Sequence, residues 1–235
     1  MKDTTLAIVL GKIAVGEKGY VLRMWTRKYG PQAYMIHSIR GNKNGIRPAM
    51  LLPMTALNAT VSHKNRGHLE KIIEIETAQI WERLATDHVR QSLCLFSAEV
   101  LHKTLQDGDS SPQFFDDFIK MLNRWDNAGA NLGMSINEIL LMIWRYLGFT
   151  IDGTLYNEGS VLDLREGNFV HNVPLHDDFL SKETSRALAN WICGKTIKTS
   201  KKNRVEITDG LIIGLRWHYP TLGTLNSLEI LRSLS

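Results

Sequence analysis

The stretch KGYVLRMWTRKYGPQAYMIHSIRGNKNG, residues 18–45, alternates apolar and polar side chains with a period of two and is cut at Gly30-Pro31 and again at the Gly/Asn-rich run 41–45. Successive side chains of a strand face opposite sides of the pleat, so Arg23 and Trp25 share one face while Leu22 and Met24 share the other. The same pattern continues on both sides. LAIVL before it, and LLPMTALNATVSH and LEKIIEIE after it, each have the length of one or two strands, with turns expected at Gly11, Gly16 and Gly67. About five short strands in some seventy residues predict a small closed barrel of the OB type, although SH3-like barrels share the pattern.

This segment is also one-sided in charge. Residues 18–69 hold nine Lys or Arg (Lys18, Arg23, Arg27, Lys28, Arg40, Lys43, Arg47, Lys64 and Arg66) and no Asp or Glu. Residues 1–80 carry 12 basic and 5 acidic side chains against 16 and 19 in the remainder, so the positive field belongs to the N-terminal third. A solvated basic surface, a nucleic-acid site and a site for an acidic protein tail all fit such a field.

From Thr77 the period changes. Ile80, Leu84, Leu93, Phe96, Val100 and Leu101 recur at three and four residues, which predicts a helix to about Leu105. Ser111-Pro112 is an N-cap and first-turn pair for a second helix with Phe115, Phe118, Leu122 and Trp125 on one stripe. A third runs from Ser135 with Ile136, Ile139, Leu140, Ile143 and Leu147 inward and Gly148 as its stop, the three forming a helical core. Residues 149–180 turn irregular, with VLDLREGNFV reading as a hairpin around Glu166-Gly167-Asn168. Helices resume at Ser181–Ile192, Thr208–Trp217 and Leu225–Leu234, and KTIKTSKKNR, residues 195–204, reads as an exposed basic loop. The expected class is α+β: an OB-fold nucleic-acid-binding domain over 1–78, then a mainly helical domain over 79–235 with a small hairpin-bearing subregion at about 149–206.

No apolar run approaches the roughly 20 residues that span a bilayer. The start, MKDTTLAIVLGK, lacks a cleavage site of small residues, so an intracellular protein is expected. Cys94 and Cys193 are far apart in apolar, helix-like settings and read as reduced core thiols; neither belongs to a CxxC pair, so no zinc ribbon forms. His171, His176, Asp177 and Asp178 have no helical ligand spacing, and neither a metal nor a cofactor is expected. There is no GxxxxGK[ST], GxSxG or HExxH, which argues against ATP hydrolysis, acyl transfer and zinc proteolysis.

Several stretches together resemble the RecO family of recombination mediators. IVLGKIAVGEKGYVLRMWTRKYG is similar to its first hairpin, AYMIHSIRGNKN to a strand ending in an Arg-led basic loop, LLPMTALNATVSH to its Leu-x-Pro-x-x-x-Leu strand, and GHLEKIIEIE to the strand after that. LGFTI, VLDLREGNFV with PLH, and HYPTLGTLNSLEILRSL are similar to its C-terminal segments, so the resemblance runs nearly end to end. It implies an N-terminal OB fold, a helical middle and a small C-terminal region, here without the four zinc cysteines of many relatives. It also implies a non-enzymatic cytoplasmic role in DNA repair: binding single- and double-stranded DNA, annealing strands, and engaging RecR and the acidic tail of single-strand-binding protein so that RecA can replace that protein.

The resemblance extends to Arg40 and, by loop position, to Lys43 and Arg47, cations around a glycine-rich loop that suit phosphate contact. Arg27 and Lys28 in the turn before Gly30, with Arg23, Lys64 and Arg66, complete the candidate DNA-binding set. Trp25, Tyr29 and Tyr34 have rings either for stacking on bases or for filling the barrel. An acidic tail ending in an apolar residue needs a pocket rimmed by cations, for which Phe114, Trp125, Trp144, Arg124, Arg145 and Arg216 are available, each of them equally suited to helix packing. The rival to a DNA-binding mediator is an adaptor whose basic face takes acidic peptides; a nuclease or other hydrolase lacks carboxylate clusters near the basic region.

Overall fold

A computed structural model of the chain, describing residues 2–16, 19–36, 47–62, 69–195 and 199–233, turns the alternating segment into five strands. These are β1 (Lys2–Val15), β2 (Gly19–Thr26), β3 (Gly30–Ile36), β4 (Ala56–Ser62) and β5 (Glu70–Gln79). They close in the order β1-β2-β3-β5-β4, antiparallel except where β3 runs parallel to β5, which is the expected OB-like barrel. Closure depends on the length of β1. Residues 2–8 pair with β4 and residues 7–15 with β2, the register shifting between Val9 and Gly11. Gly11, expected to be a turn, is therefore part of a bulge within a strand, where β1 passes from one neighbour to the other.

The barrel interior is filled by Ala7, Val9, Leu22, Met24, Tyr34, Ile36, Leu51, Leu57, Ala59, Val61 and Ile75. Tyr34 is enclosed among them, and burial pushes its phenol up to about 12. LLPMTALNATVSH, residues 51–63, is not strand throughout and begins at the end of a 3-10 turn. Pro48–Leu51 form a 3-10 turn that drops Leu51 into the core, Met54 takes a left-handed backbone (φ 66°), and the strand starts only at Ala56.

Contacts group the chain into two units, Met1–Ala130 with Leu225–Ser235, and Asn131–Thr224. In the first, α1 (Glu82–Thr86), α2 (His88–Thr104), α3 (Pro112–Asp126) and α7 (Asn226–Ser233) accompany the barrel. The single helix expected from Thr77 is not formed. β5 continues to Gln79, Ile80 is 77% exposed, and the helix is split at Asp87. The backbone NH of Asp87 bonds to Arg83 O and closes α1, while its carboxylate accepts the Arg90 amide and opens α2. Asp126 accepts the amides of Arg83 and Leu84 and so satisfies the start of α1. Ser111 occupies the expected N-cap position of α3 with Pro112 behind it, but its side chain makes no capping hydrogen bond. Phe115, Phe118, Leu122 and Trp125 are all buried, as their spacing predicts.

Helix α7 is fastened to α2 through Glu99. Its carboxylate accepts the amides of Asn226 (3.1 Å) and Ser227 (2.9 Å) and the Ser227 hydroxyl, and pairs with Lys103 (3.0 Å). Partial burial raises the Glu99 pKa, but the Ser227 hydroxyl and amide, Lys103 and the Asn226 amide outweigh it and hold the group below the ordinary glutamate range. A folded pKa below the unfolded one means that the unfolded chain binds the extra proton. This stabilisation is therefore complete above the unfolded value of about 4.3 and is lost as pH falls through the lower folded value. Glu99→Gln should flatten the acid limb of the stability profile and cost about 1 kcal/mol at neutral pH, discounted for solvent screening. Denaturant titrations between neutral and acid pH measure this, and an unchanged acid limb would remove Glu99 from the account.

The second unit holds α4 (Ser135–Tyr146), the hairpin β6 (Val161–Asp163) and β7 (Asn168–Val170), α5 (Lys182–Ile192) and α6 (Lys201–His218). Helix α4 thus groups with this unit and not with α2 and α3. Gly167 turns the hairpin in a left-handed conformation (φ 71°). Trp144 is at the centre of the unit, its indole NH donating to Leu211 O (3.0 Å). Helix α6 begins seven residues earlier than expected, so Lys201, Lys202 and Arg204 of the supposed basic loop form its first turn, capped by the Ser200 hydroxyl. Cys94 is buried, which raises its thiol to about 12, whereas Cys193, also read as a core thiol, is exposed.

Candidate nucleic-acid interface

The pleat puts Arg23 and Trp25 on the outer face of β2, opposite Leu22 and Met24 in the core. Outward does not mean open here. Trp25 is 1% exposed, its ring 5.0 Å from those of Phe114 and Phe115 and 5.4 Å from Phe118 on α3. Trp25 and Tyr34 are therefore packing residues, one outside the barrel wall and one within.

The cations around Trp25 already have partners. Arg23 forms an ion pair with Asp107 in the α2–α3 connection. Arg27 grips Asp116 of α3 with two nearly parallel bonds, Nε at 2.7 Å and the terminal nitrogen at 2.8 Å, and holds that carboxyl below its ordinary range. Lys28 pairs with Asp3, which also accepts the Tyr29 hydroxyl; both bonds lower the Asp3 pKa, that from Lys28 the more. Three of the eight candidate residues are thus engaged by carboxylates distant in sequence. Arg47 is exposed at the entry to the 3-10 turn, and Arg40, Lys43, Lys64 and Arg66 lie outside the described residues.

Strand pairing shows where the segments bearing those four cations are anchored. Met35 pairs with Lys71, Lys71 with Ser62, and Ser62 with Lys2, one row across β3, β5, β4 and β1. Residues 37–46 follow Ile36, the neighbour of Met35, and residues 63–68 follow Ser62, so their anchors are about 10 Å apart, two strand spacings.

In the second unit, Ile213, Arg216, Trp217 and Pro220 line an open groove of about 430 Å³. Trp217 is 52% exposed, with the Arg165 guanidinium 4.1 Å from its ring centre, and Asp178 accepts both Arg165 (2.8 Å from Nε) and the Trp217 indole NH (3.0 Å). Of the six residues read as materials for a tail pocket, only Arg216 is here; Trp125 and Trp144 are core, and Phe114 packs on Trp25. The exposed Trp217 was missed because its spacing matches the buried face of α6. His176 faces Asp163 at 3.4 Å, and no group of three or more potential metal ligands gathers among the described residues.

A closed five-stranded barrel followed by helices defines the class as an OB-like barrel protein with a helical region. Residues 1–81 match the family model described as recombination protein O N terminal. Proteins named DNA repair protein RecO are similar over nearly the whole chain. That of Porphyromonas gingivalis is 28% identical over 97% of both chains, that of Phocaeicola vulgatus 25% over 100% of this chain and 99% of its own, and that of Azobacteroides pseudotrichonymphae 23% over 98% of both. The chain is thus similar to the N-terminal region of recombination protein O over residues 1–81, and to RecO proteins over nearly its whole length. No helix among the described residues is long and apolar enough to cross a membrane.

Proposed function

We propose that this protein is a DNA repair and homologous recombination mediator of the cytoplasm, associated with the nucleoid. It binds single- and double-stranded DNA, anneals complementary strands and helps load RecA onto strands covered by single-strand-binding protein. It works without bond chemistry. The observation that carries this reading is the acid-free segment 18–69, whose cations Arg40, Lys43, Lys64 and Arg66 fall in two connections anchored two strand spacings apart. Neutralising phosphates of two strands on one surface releases counterions and lowers the repulsion that opposes pairing. Arg40, Lys43, Arg47, Lys64 and Arg66 are the main phosphate ligands in this reading. Arg23, Arg27 and Lys28 contribute less, because an existing carboxylate pair must open before each can meet a phosphate.

The division of labour follows the chain: nucleic acid on the barrel of residues 1–78, protein partners on residues 79–235. RecR is one such partner and the acidic tail of single-strand-binding protein another. The groove of Ile213, Arg216, Trp217 and Pro220 offers the tail an apolar floor and a cation. Arg40→Glu combined with Lys43→Glu should abolish binding of a labelled oligonucleotide while leaving the thermal transition in place. Binding at the wild-type level would remove the two connections from the interface and favour the adaptor that takes acidic peptides.

A further inference from the structure

The nucleic-acid face of an OB barrel is commonly the outside of strands 2 and 3. In this barrel the centre of that face is occupied by the protein itself: Trp25 lies beneath Phe114, Phe115 and Phe118, and Arg23 and Arg27 are tied to Asp107 and Asp116. Among the described residues, two exposed lysines without a carboxylate partner lie on another face of the barrel. We infer that the exposed row Lys71–Ser62–Lys2, on the outside of β5, β4 and β1, is a phosphate-binding track that a single strand crosses transverse to the barrel strands.

Directly paired residues point to the same side of a sheet, and the row next to this one, Thr4 with Thr60, has its two hydroxyls 2.9 Å apart, which puts this parity on the outer face. Lys2 and Lys71 are both exposed, about 10 Å apart across Ser62, and no ion pair joins either to a described carboxylate. Asp3, the acid adjacent to Lys2, is occupied by Lys28 and Tyr29.

The following rows set the direction. Farther along the strands, Leu6 and Asn58 continue to Glu76, an exposed carboxylate that bounds the cationic row in that direction. A polyanion is repelled if it runs lengthwise toward Glu76 and attracted if it crosses the strands from Lys71 to Lys2. Ser62 between them adds a hydroxyl donor at phosphate height.

This track deepens the proposed DNA binding and depends on it, so the test separates the two. Fluorescence anisotropy of a labelled single-stranded oligonucleotide is measured against salt for the wild type, Lys2→Gln/Lys71→Gln, Glu76→Gln, and Lys182→Gln on α5 as a charge control. Two lost contacts should reduce the log-log salt slope by about 1.4 and weaken binding about 25-fold near 0.1 M salt. Glu76→Gln should tighten binding, and the control should remain within about twofold of wild type. If the wild type binds with a steep slope that the double variant retains, or if the control loses as much as the double variant, the track is wrong while the DNA reading stands. If the wild type itself does not bind, the DNA reading fails first.

Discussion

Replacing Gly30 by alanine is expected to destabilise the first unit by about 3–5 kcal/mol. Two penalties coincide at this residue. Its backbone is left-handed (φ 68°), which costs a residue with a Cβ about 1–2 kcal/mol. An added Cβ would also lie 2.3 Å from the backbone oxygen of Asp109 and 2.6 Å from its carbonyl carbon, atoms that no rotamer change can move. The approach is enforced from both sides, because the Gly108 amide donates to Pro31 O (3.0 Å) across the same contact. Gly16 is the internal comparison: it is also left-handed (φ 62°), but nothing lies within 4 Å of its added Cβ, so Gly16→Ala should cost only the conformational part. Urea unfolding of the two variants measures the difference, and equal costs would show that the β2–β3 turn is not locked against the α2–α3 connection.

The second large effect lies in the other unit. Gly214→Ala improves intrinsic helix propensity by about 1 kcal/mol, yet a net loss of about 2–4 kcal/mol is expected. The new Cβ would stand 2.3 Å from Trp144 Cζ2 and 2.6 Å from the Leu164 carbonyl oxygen. Gly167 approaches the same ring, its own added Cβ falling 3.0 Å from Cζ3, so the indole has no free direction in which to retreat. Trp144→Leu in the Gly214→Ala background should recover part of the loss, a coupling that a double-mutant cycle detects. A Gly214→Ala protein more stable than wild type would mean that propensity outweighs packing at this position.

The same distinction between local and long-range causes explains what could be read from the sequence. The barrel was legible because a period of two, interrupted by Gly30-Pro31 and by the run 41–45, is a local signal, and so was the hairpin at Gly167. Asp87 was not, because the three-and-four spacing runs on across the break while the residue acts as a cap on both sides. Gly11 misled because a glycine in a bulge and a glycine in a turn look alike in sequence. At the candidate site, the pleat correctly put Arg23 and Trp25 on one face. What covers that face, α3 at residues 112–126 with Asp107 just before it, is about 90 residues away and leaves no local trace. Lys2 and Lys71 escaped notice for the opposite reason. Each is an isolated lysine beside an acid, and only the pairing of β1, β4 and β5 brings them into one row.

On the proposed function, this barrel binds DNA by neutralising several phosphates at once. The most direct measurement is the affinity of the wild-type protein for a labelled single-stranded oligonucleotide at a series of salt concentrations. A log-log slope of about −3 or steeper is expected, since each phosphate contact on a single strand contributes about 0.7. Absence of binding at low salt would contradict it and leave the acidic-peptide adaptor as the reading of the basic segment.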